Sequence, residues 1–247
     1  MAYYVLFDTE TTGNQEEDRV IQFGAMIVDQ KGKIEAFDEF CSTDIEIKLE
    51  AMEVHNITPD LLIGKPKATE TSFYERLEEL NSNENYLIAH NISFDMGMLK
   101  KEGFVNQYQI IDTLRCAKHL FPELPYHRLQ YIRYALDLYK VEEAEASKHN
   151  ITIKAHDAIG DVLVMKLFLT KLVGRCREYY PDYNPIEKLV DLTKTPVFIK
   201  TFKFGKYKGK DVEEVAKIDS GYLNWMRTSM TDLDEDMKYT LDKVLKS

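Results

Sequence analysis

Residues 3–13, "YYVLFDTETTG", run five apolar residues straight into two acids and then a glycine. The apolar run reads as a buried strand, and its abrupt polar end sets Asp8 and Glu10 at the strand's tip. Two positions apart on a strand, both side chains leave the same face of the sheet, so two negative charges stand side by side. Residues 19–29, "RVIQFGAMIVD", supply a second buried strand, and 33–40, "KIEAFDEF", a less regular third carried by Ile34, Phe37 and Phe40. A β-meander therefore opens the chain.

The pattern then alternates. Phe73, Leu77 and Leu80 fall at helical spacing in "SFYERLEELN", and "YLIAH" at 86–90 returns to strand. The spacing predicts a helix from about Ser93 to Lys101, a strand at "YQIID", a helix from Thr113, another across "RLQYIRYALDLY" and a long one after Asp157. Strands first and alternation afterwards predict an α/β fold, a mixed sheet flanked by helices, over residues 1–175. The three prolines of "CREYYPDYNPIEKLVDLTKTP" mark a helix end and a linker at 176–195. Residues 196–247 form a small α+β C-terminal module: a hairpin or meander in "VFIKTFKFGKYKGK", then short helices.

Composition bounds the function. With 44% hydrophobic and 30% charged residues the chain is ordered and globular. No apolar run approaches the roughly 18 residues of a membrane span, and the first residues lack the basic region and cleavage site of a leader, so a cytoplasmic protein with no membrane partner is expected. Cys41, Cys116 and Cys176 show no metal-binding or disulfide spacing and are expected to be reduced. The net charge of -10 argues against a nucleic-acid partner only at first sight. Residues 1–175 carry all of it, with 19 basic and 29 acidic side chains, whereas 176–247 hold 13 of each. Carboxylates that bind cations can still receive phosphates.

Two more segments deliver acids. In "HNISFD", 90–95, Ser93 is a candidate N-cap, and Asp95 shares the core-facing stripe with Met98 and Leu99. In "HDAIGD", 156–161, Asp161 opens the apolar stripe Val164, Met165, Phe168 and Leu172 of the longest helix, with Asp157 as its expected N-cap. Taken singly, each acid has an ordinary reading as a strand end or a helix-dipole carboxylate. Four acids converging without basic partners would repel one another unless cations neutralised them, and hard oxygen ligands suit two Mg²⁺ or Mn²⁺ ions. Such a pair can activate water for phosphodiester cleavage, with His156 suited to accept the proton.

The order Asp8 and Glu10 in "DTETTG", Asp95 in "HNISFD", and His156 with Asp161 in "HDAIGD" resembles the three motifs of the DEDD-superfamily exonucleases, histidine subclass (DEDDh). The likeness covers about residues 1–175. It implies a ribonuclease H-like fold and 3'-to-5' release of nucleoside 5'-monophosphates, with Asp8, Glu10, Asp95 and Asp161 as metal ligands and His156 as general base. "EAMEVHNIT", 50–58, resembles the family segment that holds the terminal nucleotide, through Glu50 and His55, with Met52 and Phe94 as an apolar wall. His55 read without the family is an ordinary helix-end histidine. Thr9 and Asn91 complete the implied substrate-binding set, although Asn91 is expected to bond backbone, and Asp112 to support a strand end. The helix at "RLQYIRYALDLY" and the short extension make exonuclease X-type enzymes the nearest likeness.

Lys200, Lys203, Lys206, Lys208 and Lys210 interleave with Phe202, Phe204 and Tyr207 in a stretch free of acids. Such a run can track phosphates and stack on bases, which makes Lys203, Lys206, Tyr207, Lys208 and Lys210 candidate DNA contacts. The ordinary alternative is a lysine-guarded edge hairpin whose aromatics face the core. The expected function is a metal-dependent exonuclease acting on DNA 3' ends. The alternatives are an RNA-trimming 3'-to-5' exoribonuclease and a polymerase-associated proofreading or DNA-end-binding subunit.

Overall fold

The computed structural model describes residues 2–149, 151 and 157–246. The chain falls into two compact units, Met1–Thr193 and Lys194–Ser247.

In the first unit, β1 (Tyr4–Thr11), β2 (Val20–Val28) and β3 (Ile34–Phe40) form the expected antiparallel meander. Helices α1 (Leu49–His55), α2 (Pro59–Leu62) and α3 (Ser72–Glu79) lead to β4 (Tyr86–Ala89), which pairs parallel with β1. Helix α4 (Ile92–Lys101) returns the chain to β5 (Gln109–Asp112), parallel to β4, so the sheet order is β3-β2-β1-β4-β5. Helices α5 (Thr113–Leu120), α6 (Leu129–Ala135), α7 (Tyr139–Lys148), α8 (Ala158–Tyr179) and α9 (Pro185–Lys194) follow. The mixed sheet flanked by helices is the ribonuclease H-like fold that the motifs implied.

Strand alternation sorts the core into two layers. Val5, Phe7, Phe23, Ala25 and Leu87 face Phe73, Leu77 and Leu99 on one side. Leu6, Met26 and Ile88 face Leu163, Phe168 and Leu172 of α8 on the other. By the same parity, Asp8, Glu10, Gln22 and Gly24 lie on the α8 face. Burying a side chain of Phe or Leu size contributes about 1.5–3 kcal/mol, so these two layers fix the sheet between its helices.

Three sequence expectations shift. The helix across "RLQYIRYALDLY" stops at Ala135, because Asp137 takes a left-handed backbone (φ 57°) and α7 starts anew at Tyr139. The segment 176–195 is not an open connector: it holds the end of α8 and then α9, whose Leu189, Val190 and Leu192 are buried in the first unit's core. In the second unit, the expected hairpin shrinks to one antiparallel bridge between Thr201 and Asp211, closed by Phe202 N–H to Lys210 O (2.9 Å) and Gly209 N–H to Phe202 O (2.8 Å).

Helices α10 (Val212–Ile218), α11 (Ser220–Ser229) and α12 (Glu235–Val244) complete that unit around Phe202, Leu223, Met226 and Leu241. Asp211, Asp219 and Asp234 cap their first turns through side-chain acceptance of backbone N–H groups. No helix among the described residues is long and apolar enough to cross a membrane.

Candidate active site

The site lies at the carboxyl ends of the parallel strands β1 and β4, where loops and helix starts converge in open α/β sheets. The pairing of β1 with β2 slips between Glu10 and Thr11, an irregularity of the kind that re-aims side chains beside functional sites. The same face of β1 carries Asp8 and Glu10, as their spacing required.

Asp95 arrives from the first turn of α4. It is 2% exposed, and its Oδ1 accepts both the Thr9 hydroxyl (2.7 Å) and the Thr9 N–H (3.1 Å), which ties α4 to the tip of β1. Helix α4 begins two residues earlier than it would with Ser93 as its cap. Its N-cap is Asn91 in a left-handed backbone (φ 72°), a conformation Asn tolerates, with no side-chain cap. The Asn91 N–H donates to Asp112 Oδ1 (3.1 Å), and the same oxygen accepts from Leu114 N–H (2.9 Å), so Asp112 fastens two strand ends and caps α5.

Asp161 comes from the first turn of α8, which reaches the sheet because position 24 is glycine. A Cβ there would stand 2.2 Å from the Ala158 carbonyl carbon and 2.3 Å from the Ile159 nitrogen. Gly24 is the register partner of Asp8, so this close approach carries the start of α8 to the acidic edge of β1. Asp157 is the N-cap as expected, but its Oδ1 accepts from Gln22 Nε2 (2.9 Å) and caps nothing with its side chain.

The four carboxyls act on one another. Asp8 is held well above the ordinary carboxylate range by burial, then by the charges of Asp95, Glu10 and Asp161. Glu10 is pushed up to about 8 by burial and by Asp161, Asp95 and Asp157. Burial lifts Asp95 to about 7 against the hydrogen bonds from Thr9 that favour its ionised form. Arg133 senses Asp161, but its guanidinium is engaged first by Glu142. Among the described residues, no three His, Cys, Asp or Glu side chains stand close enough together to hold a metal ion as they are placed. The donor set nevertheless fits divalent cations of the Mg²⁺ or Mn²⁺ class: clustered hard oxygens whose main electrostatic neighbours are other acids.

An exonuclease family model matches residues 5–168, which takes in the five-stranded sheet from Val5 onward and all four acids. The chain belongs to the exonuclease family. It is a 3'-to-5' exonuclease of the DEDD class, and a second family model, the exodeoxyribonuclease X-like C-terminal region, matches residues 202–227. Exodeoxyribonuclease 10 of Escherichia coli is 25% identical over 242 residues, 98% of each chain. The PolC-type DNA polymerase III of Bacillus cereus is 33% identical over 187 residues, 73% of this chain but only 12% of that polymerase. A structure of exonuclease X in complex with 5' overhanging duplex DNA superposes with a TM-score of 0.52 at 19% identity, over 78% of this chain and 99% of the other, and shares the fold.

The remaining expected residues of the exonuclease divide. His156 lies outside the described residues. Phe94 is 37% exposed beside Asp95, available as a wall, and Glu50 is exposed on α1. Met52 packs partly against Ile21, Ile47 and Ile57. His55 is buried, with Nε2 against Thr11 O (3.2 Å) and Nδ1 accepting from Ile57 N–H (2.9 Å), so one ring nitrogen holds the end of α1 to β1 and the other fixes the turn that follows the helix. Burial also keeps its pKa low. Thr9 spends its hydroxyl on Asp95.

Among the DNA-contact candidates, Lys203, Lys208 and Lys210 are exposed, whereas Lys206 and Tyr207 both bond Asp219 (3.0 and 2.8 Å). Sequence reasoning missed Gly24 and Gln130, whose Nε2 donates to Asp161 Oδ1 (2.5 Å). A glycine within a buried strand was the available sign of the first.

Proposed function

We propose that the chain removes nucleoside 5'-monophosphates one at a time from 3' ends of DNA, with the first unit performing the hydrolysis. The observation that carries this reading is the acidic edge itself: burial and the neighbouring charges of Asp95 and Asp161 raise the proton affinity of Asp8 and Glu10, as a cluster of hard oxygens suited to divalent cations would. The likeness to exodeoxyribonuclease 10 along 98% of both chains supports DNA as the substrate.

The four carboxylates would hold two ions of Mg²⁺ or Mn²⁺. When bound, these neutralise phosphate charge and ease deprotonation of the attacking water. The chain's own residues do the rest. His156, five residues before Asp161 in sequence, is by motif the residue to take the water's proton, and an imidazole, with an unperturbed pKa of about 6.5, suits that exchange at neutral pH. Thr9 keeps Asp95 oriented, and the exposed ring of Phe94 offers an apolar surface to the terminal base or sugar. By resemblance, exposed Glu50 would contact the terminal nucleotide.

Purified protein with Mg²⁺, given end-labelled DNA and RNA of one sequence in single- and double-stranded form, should ladder the DNA from the 3' end with mononucleotide product. Faster trimming of the RNA would replace the DNA reading with the exoribonuclease one. Activity of Asp8→Asn equal to wild type would remove the metal-site reading altogether. His156→Asn is expected to lose activity while retaining cation-induced stabilisation, which separates the general base from the ligands.

A further inference from the structure

The C-terminal unit holds an aromatic shelf that the first unit's chemistry does not use. Tyr222 on α11 is fixed from several sides. Its N–H is capped by Asp219 Oδ1 (3.1 Å), and its ring meets Phe202 (6.5 Å, 69°) and Tyr207 (5.2 Å, 73°) edge-on. Its hydroxyl lies under Gly205, where a Cβ would come within 2.6 Å of it. That glycine's left-handed backbone (φ 71°) lets the lysine-rich turn fold over the ring. Trp225, one helical turn on, stacks on Tyr222 at 5.8 Å and 30° and is still 52% exposed.

The charge beside this shelf is partly paired, through Asp219, and that pairing holds it in place. Asp219 Oδ2 accepts both Lys206 Nζ (3.0 Å) and the Tyr207 hydroxyl (2.8 Å), while the Lys206 ammonium lies 4.8 Å from the Tyr207 ring centre and 5.9 Å from that of Tyr222. Lys206 and Tyr207 thus brace the shelf. Lys203, Lys208 and Lys210, exposed on the same acid-free turn, are left to meet phosphates. A half-exposed indole backed by a second ring, beside exposed lysines, complements an unpaired base and its backbone: the ring offers a π-face to any base and the lysines offer the counter-charge.

We propose that Trp225, supported by Tyr222, is a stacking site for an unpaired base of single-stranded nucleic acid, with Lys203, Lys208 and Lys210 along its phosphates. The proposal rests on the reading of the chain as an enzyme of nucleic-acid ends, but its test does not require hydrolysis. Trp225 is the sole tryptophan of the chain, so intrinsic fluorescence reports on this ring alone.

Full-length protein in EDTA is titrated with a 20-residue oligothymidylate while tryptophan emission and oligonucleotide anisotropy are followed together. Saturable quenching is expected to track the anisotropy and to weaken as salt is raised. Trp225→Ala is expected to weaken binding about 5- to 100-fold, as loss of one base–aromatic stack does, and Trp225→Phe less. The quenching in wild type needs no variant, so a poorly folded Trp225→Ala would not spoil the test. Anisotropy that saturates with emission unchanged would overturn the proposal, as would a folded Trp225→Ala that binds like wild type. Emission that changes with protein concentration and not with oligonucleotide would assign the shelf to a second copy of the chain and overturn it too. Failure here leaves the laddering assay standing, and failure of laddering leaves the EDTA titration readable.

Discussion

Gly24 and Ala158 approach so closely that a methyl group at position 24 would stand 2.2 Å from the Ala158 carbonyl carbon. The three obstructing atoms, the Ala158 carbonyl carbon and oxygen and the Ile159 nitrogen, all belong to backbone, so none can rotate away. Gly24→Ala must therefore lift the start of α8 off β2, and Asp161 moves with it. The expected cost is about 1–3 kcal/mol in urea unfolding, typical of overpacking, together with a loss of activity that added stabilisers do not recover. A variant as stable and as active as wild type would show that this contact does not place Asp161.

Thr9 makes a different kind of link. Thr9→Val keeps the backbone N–H to Asp95 but deletes the 2.7 Å hydroxyl donor, leaving one carboxylate oxygen less well held in a buried place. Stability should fall by about 1 kcal/mol and the Mg²⁺ concentration for half-maximal activity should rise, with Thr9→Ser restoring both. Unchanged metal dependence in Thr9→Val would assign the hydroxyl a structural role only.

These two links explain what could be read from the residues and what could not. The acids were legible because a charge on an apolar stripe is anomalous in one dimension: Asp95 falls in register with Met98 and Leu99, Asp161 with Val164 and Phe168, and all four of those apolar partners are buried. Gly24 was not, since its meaning lies in what packs on it from a helix more than a hundred residues later. The break at Asp137 was hidden for another reason. Leu136 and Leu138 on either side continue a plausible helical pattern, and nothing local reveals the left-handed turn between them. Helix α7 escaped notice because its buried face includes Glu142, whose burial makes sense only once Arg133 is seen to pair with it. His55 was ambiguous until both of its ring nitrogens were found on backbone.

Gln130 extends the support of the site into α6. It donates to Asp161 Oδ1 at 2.5 Å, while its own oxygen accepts from Arg133 Nη1 (3.3 Å), which is in turn held by buried Glu142. Partners of this type orient metal ligands, and their loss costs about 10- to 100-fold in metal affinity or activity. Gln130→Ala should fall in that range through weaker Mg²⁺ dependence, with the fold intact by circular dichroism. Gln130→Glu should be worse, because it sets a fifth acid against Asp161. Equal activity of all three proteins would detach α6 from the chemistry.

The acidic edge also predicts how cations and pH trade against each other. Glu10 is raised from an ordinary 4.5 to about 8, and Asp95 from 3.8 to about 7. Because the folded state holds these protons more tightly than the unfolded chain, the stability they contribute is full below their ordinary values and is lost as pH rises through about 7 and 8. In metal-free buffer, wild type should therefore weaken relative to Glu10→Gln as pH climbs from about 5 to 9, a divergence visible in paired thermal melts. Cations reverse the sign of the problem by replacing the protons. Mg²⁺ binding should release protons near pH 7 and release fewer near pH 9, where the carboxyls are already ionised, as calorimetry in buffers of differing ionisation enthalpy would reveal. A melting difference between wild type and Glu10→Gln that stays flat across that range would mean that Glu10 ionises as freely as an exposed acid, and the case for an acidic cluster that trades protons for cations would go with it.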